Sequence, residues 1–101
     1  KPFRDQELLD VVQRALARHE TRLQTEREMT ALRARQASLT PREQEVMGLV
    51  AEGLMNKQIA ARLGVAEVTV KMHRAAMLRK MSARSVVELV RMAATLERGE
   101  P

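Results

Sequence analysis

Apolar residues follow two different regimes along this chain. Up to about residue 37, Leu9, Val12, Leu16 and Leu23 recur at spacings of three, four and seven, which marks one stripe of an amphipathic helix. Asp5 can cap that helix, and no strong breaker follows Pro2. Beyond Leu23 the same line carries Glu26, Thr30 and Arg33. Two readings therefore stay open. One is a short coiled-coil seam at the front. The other is a solvated helical linker held by pairs such as Glu20 with its neighbouring arginines. Whether residues 5–37 form one helix is open as well.

From residue 38 the punctuation becomes dense and predicts four short helices. Thr40-Pro41-Arg42-Glu43 starts the first: Thr40 as cap, Pro41 at the first helical position and Glu43 closing a capping box. Val46, Met47, Leu49 and Val50 form its apolar face, and Gly53 ends it. The second runs from Asn56 through Ile59, Ala60 and Leu63 to Gly64. The third follows Val65-Ala66, with Val70, Met77 and Met81 on one face. Ser85 and Glu88 open the last, which ends by Gly99. No stretch alternates as a strand would, so the expected class is all-α: a four-helix domain over 38–101, preceded over 1–37 by an amphipathic helix and helical linker.

Within this frame, Ala60, Gly64 and Val70 form a constellation. A small residue at Ala60 allows two helices to cross closely. Gly64, four positions on, accepts the positive φ of a sharp turn. Val70, six further, can plug the space between the helices. Together they specify a helix-turn-helix, against the plainer alternative of a helical hairpin in a bundle.

Composition narrows the picture. Hydrophobic residues make up 45% of the chain but aromatics only 1%, so the core must be aliphatic and methionine-rich, which suits helices. The net charge of +5 points to a polyanion. That charge is concentrated: Lys71, Arg74, Arg79, Lys80 and Arg84 occur between residues 71 and 84 with no acid among them, whereas signs mix elsewhere, as at Arg42-Glu43. A one-sign cluster on the second helix of the motif suits phosphate neutralisation by a helix entering the major groove of duplex DNA. Lys71, Met72 and Ala75 can reach base edges, lysine to guanine acceptors and Met or Ala to a thymine methyl. Thr69, Arg74, Arg79, Lys80 and Lys57 are assigned to phosphates.

The last helix carries two apolar lines: Val86, Leu89 and Ala93, and Val87, Val90 and Ala94. One can cover the core while the other pairs with a second copy, giving a homodimer for two half-sites. Alternatively both are buried within one monomer.

Other classes have little to stand on. The chain has no cysteine, which excludes disulfides and thiolate metal sites and fits a cytoplasmic setting. No apolar run approaches the roughly 20 residues of a membrane span. His19 and His73 are the only histidines, no glycine loop cradles phosphate, and no Ser/His/Asp set has recognisable context. No enzyme, cofactor, metal or small-molecule substrate is expected. The main competitor is an interaction module, such as a sigma-like contact with RNA polymerase.

These residues also resemble a known family. Leu39-Thr40-Pro41-Arg42-Glu43-Gln44-Glu45-Val46, Gly53, Asn56-Lys57-Gln58-Ile59-Ala60, Leu63-Gly64-Val65, Val68-Thr69-Val70-Lys71-Met72-His73-Arg74 and Lys80-Met81 resemble the LuxR/FixJ (NarL-like) helix-turn-helix family over about residues 38–98. The resemblance implies a four-helix domain whose third helix reads the major groove and whose fourth commonly dimerises. It implies base contacts at Lys71 and Met72 and backbone contacts at Thr69 and Lys57. Ala75 stands where some members place lysine, and Ala66 where a serine or threonine often caps the recognition helix, a task Glu67 could share through the helix dipole. His73 matches a recurrent histidine, read as structural or phosphate-directed. Lys1-Pro2-Phe3 ahead of an amphipathic helix resembles the end of a response-regulator receiver domain. On that likeness the chain is expected to be the output part of a longer two-component regulator.

Overall fold

The computed structural model describes the backbone of residues 2–99 and the side chains of residues 4–99. Five helices follow in order: α1 Pro2–Ala37, α2 Pro41–Ala51, α3 Asn56–Leu63, α4 Glu67–Lys80 and α5 Val86–Arg98. No strand occurs among the described residues. The molecule is elongated, with extents of 75 × 21 × 20 Å, because α1 is one continuous helix. From residue 3 to residue 37 it contains neither glycine nor proline. Only its end docks, where Met29 and Leu32 are buried and α1 meets α5.

That docking is out of phase with the stripe seen in the sequence. At 100° per residue, Met29 and Leu32 lie roughly half a turn around from the Leu9–Leu23 line. The seam reading therefore does not extend to the domain. Leu8, Leu9, Val11, Val12 and Leu16 stay exposed, while the opposite face of the rear turns packs inward.

The domain forms around Val46, Val50, Ile59, Val70, Met77, Met81 and Leu89, all essentially inaccessible to solvent. Helix α4 packs across α2 and α3, and α5 closes over α2. Local chemistry sets each start. Thr40 Oγ1 accepts from Glu43 N at 3.2 Å, and Glu43 Oε1 accepts from Thr40 N at 2.9 Å, closing the capping box. Ser85 Oγ accepts from Glu88 N at 3.1 Å.

One device ends α2, α3 and α4. An N–H two or three residues past each helix reaches back five residues: Leu54 to Leu49 O, Val65 to Ala60 O and Ala83 to Leu78 O. The residue between must turn left-handed. Gly53 and Gly64 do so at φ of 93° and 68°, but after α4 the position is held by Ser82 at φ of 56°. A side chain there costs steric energy that a glycine avoids.

Candidate nucleic-acid interface

Helices α3 and α4 are joined by Gly64-Val65-Ala66, and the N–H groups of Gly64 and Val65 converge on the Ala60 carbonyl. Ala60 is buried at the crossing and Val70 is fully enclosed behind it. These three residues thus do what their spacing requires, and α4 is presented with its first turns facing outward.

The start of α4 has no side-chain cap. Ala66 is the N-cap residue and supplies only its carbonyl, which accepts from Thr69 N and Val70 N. Glu67 sits in the first turn, where a negative charge is favourable against the helix dipole. Along the outward face, Lys71, Met72, Ala75 and Arg79 are exposed, as is Lys57 on α3. Thr69 and His73 are half-buried at its margin. Neither Lys71 nor Arg79 has an ion-pair partner among the described residues.

Two of the residues expected at phosphates also make contacts within the domain. Lys80 Nζ lies 2.7 Å from Glu43 Oε1, so its ammonium, about a third exposed, is already paired with a carboxylate of the domain. This pair ties the end of α4 to the first turn of α2. The Lys80 ammonium and then the Thr40 N–H hold the buried Glu43 carboxyl below its ordinary pKa, although desolvation pushes the other way. Arg74 is half-buried, and its Nη1 donates to Asn56 Oδ1 at 3.0 Å, which braces α4 against the first residue of α3. That bond fixes its position but leaves its charge unpaired. Arg84 is exposed in the turn after α4.

The two apolar lines of α5 separate clearly. Leu89 is fully enclosed, and Val86 and Ala93 pack against the same core, so of the two lines this is the one that covers the core, and Leu89 is not open to a second copy. A helix cannot offer the same side chains to its own core and to a second copy. Val87 is 62% and Val90 38% exposed, with Ala94 half-buried beside them.

Three features were absent from the sequence reading. Arg33 Nη2 donates to the Gly99 carbonyl at 3.2 Å, so α1 caps the end of α5. The Glu43–Lys80 pair spans 37 positions and leaves no local trace. Val68 lies on the outward face of α4 and is 64% exposed; its three- and four-residue spacing to Lys71 and Met72 was the available signal. The reading of Lys1-Pro2-Phe3 falls on residue 1 and on side chains outside the described residues.

A helix-turn-helix with a basic, outward-facing second helix defines a nucleic-acid-binding class of protein. Comparison with known proteins names the family. The model for bacterial regulatory proteins of the luxR family matches residues 37–93. The chain is 54% identical over 96 residues to Nodulation protein W of Bradyrhizobium diazoefficiens, covering 95% of this chain and 42% of that protein. It is 52% identical over 92 residues to the C4-dicarboxylate transport transcriptional regulatory protein DctR of Rhodobacter capsulatus, covering 91% and 47%. Among solved structures, response regulator StyR matches with a TM-score of 0.82 at 43% identity, over 90% of this chain and 46% of its own. Full-length FixJ from B. japonicum matches with a TM-score of 0.70 at 37% identity, over 97% and 48%. The chain thus spans less than half the length of each of these relatives. It belongs to the luxR family of bacterial regulatory proteins and carries the family's DNA-binding output domain.

Proposed function

We propose that the chain binds duplex DNA sequence-specifically as a homodimer, with the front of α4 in the major groove, and serves in the cytoplasm as the output half of a two-component response regulator. One observation carries this reading. Val68, Lys71, Met72 and Ala75, at i, i+3, i+4 and i+7, share one uncovered face of α4, rimmed by cations that are not used internally. Relatives named as response regulators support the assignment. Lys71 supplies donors for guanine, Met72 and Ala75 lie against bases, and Lys57, Thr69 and Arg79 hold phosphates. Arg74 reaches a phosphate only while braced on Asn56. The outer line Val87, Val90 and Ala94 is the pairing surface for the second copy. This function requires no catalysis and no cofactor.

The test is selection of bound sites from random duplexes, followed by titration at several salt concentrations. The expected product is a palindrome holding two chains, with affinity falling steeply as salt rises. Lys71→Ala should cost about 1–3 kcal/mol of specific affinity and relax one base preference. Arg79→Ala should weaken all sequences about equally. Salt-insensitive binding, or a Lys71→Ala chain with unchanged preference, would overturn the placement of α4. It would favour a protein partner such as RNA polymerase.

A further inference from the structure

We propose that Val68 is a specificity residue that, together with Met72, forms an apolar ridge reading thymine methyl groups. The proposal rests on the placement of α4 in the groove argued above. A single exposed valine needs no explanation. Here, however, the exposed large hydrophobics of residues 38–99 fall into separate groups. Val87 and Val90 lie on α5, Met55 lies before α3, and Val68 and Met72 lie one turn apart on α4. The α4 pair is 64% and 67% exposed, so neither side chain contributes its full apolar area to the fold.

Charge identifies what covers them. Lys71 lies between the two, Ala75 follows, and Arg79 continues the same face. Glu67 is the only acid on the helix. An apolar ridge inside a cationic rim matches a surface that is anionic at its edges and apolar at points in its floor. The major groove has that form: phosphates line its walls, and the 5-methyl of thymine is the apolar group on its floor. Side chains at i and i+4 stand roughly 5–6 Å apart, against a base-pair rise of about 3.4 Å. The ridge therefore meets methyls on base pairs one or two steps apart. The small Ala75 leaves the next turn low, so the helix can approach closely enough for Val68 and Met72 to touch the floor. Val68 sits in the first turn, the part of a recognition helix that enters deepest.

The experiment uses the full chain and its selected duplex, with each thymine replaced in turn by deoxyuridine, which removes only the methyl. In the unaltered protein, one replacement should weaken binding about fourfold through Val68, the factor expected for one buried methyl. A second replacement, one or two steps away, should do so through Met72. Val68→Ala should abolish the first effect and keep the second, and Met72→Ala should do the reverse. Both positions are exposed, so both variants should fold, which circular dichroism checks. Indifference to every uracil, or an effect that persists unchanged in Val68→Ala, would overturn the ridge while leaving DNA binding intact. Failure to bind any duplex would overturn the ridge and the proposed function together.

Discussion

The two halves of α4 carry similar residues to opposite ends. In the front half, Val68, Lys71 and Met72 face solvent. In the back half, Met77 is enclosed, the following Met81 likewise, and Lys80 is paired with Glu43. Each set holds methionine and lysine, yet Lys71 and Met72 are available to a partner while Met77, Lys80 and Met81 are part of the scaffold. Charge and hydrophobicity alone do not tell binding residues from structural ones. The partner across the fold does.

This contrast can be broken in three places, from the largest effect down. Met77→Ala removes an enclosed side chain where α4 crosses α2 and α3, and should lower unfolding stability by about 2–5 kcal/mol in a denaturant titration. Lys71→Ala, six residues earlier, should leave that titration within about 0.5 kcal/mol. Equal losses from both would erase the distinction between the halves.

The second place is the Glu43–Lys80 pair, which is read through pH. The folded Glu43 has a lowered pKa, so the unfolded chain takes up the proton first. Its contribution is complete above the ordinary glutamate range, about pH 4.3. It is lost as pH falls through the lower, folded value. Glu43→Gln should therefore be less stable than the unaltered chain at neutral pH, and the gap should narrow as the solution is acidified below about pH 4. A gap independent of pH would mean that Lys80 does not anchor the back half.

The smallest effect lies just past the helix. Ser82→Gly relieves a left-handed serine and should raise stability by about 0.5–1 kcal/mol, the steric gain being partly offset by the greater freedom of the unfolded chain. A lower thermal midpoint would show that Ser82 contributes through its side chain.

Much of the domain was legible because its signals are local. Thr40, Pro41 and Glu43 announce one helix start, and Gly64 with Ala60 and Val70 announces the turn, each acting within a few residues. Long-range pairing was not legible. Arg79 and Lys80 are adjacent and carry the same charge, but a rotation of about 100° turns one outward and the other toward Glu43. Leu89 and Val90 part in the same way, and only the position of α2 decides which is inside. The rear of α1 was misleading for a related reason. Its buried residues, Met29 and Leu32, lie on a different face from the stripe that dominates the front, so a search along one line finds Glu26 and Thr30 instead.

Because α1 runs unbroken from its free turns to the Arg33–Gly99 contact, it works as a lever with its fulcrum on α5. From Leu8 to Leu32 the arm is about 36 Å at 1.5 Å per residue. Whatever grips the far tip moves it by about 3 Å for a tilt of about 5° over that arm. A tilt of the rod is thus felt first at the last turn of α5, where Arg33 holds the Gly99 carbonyl.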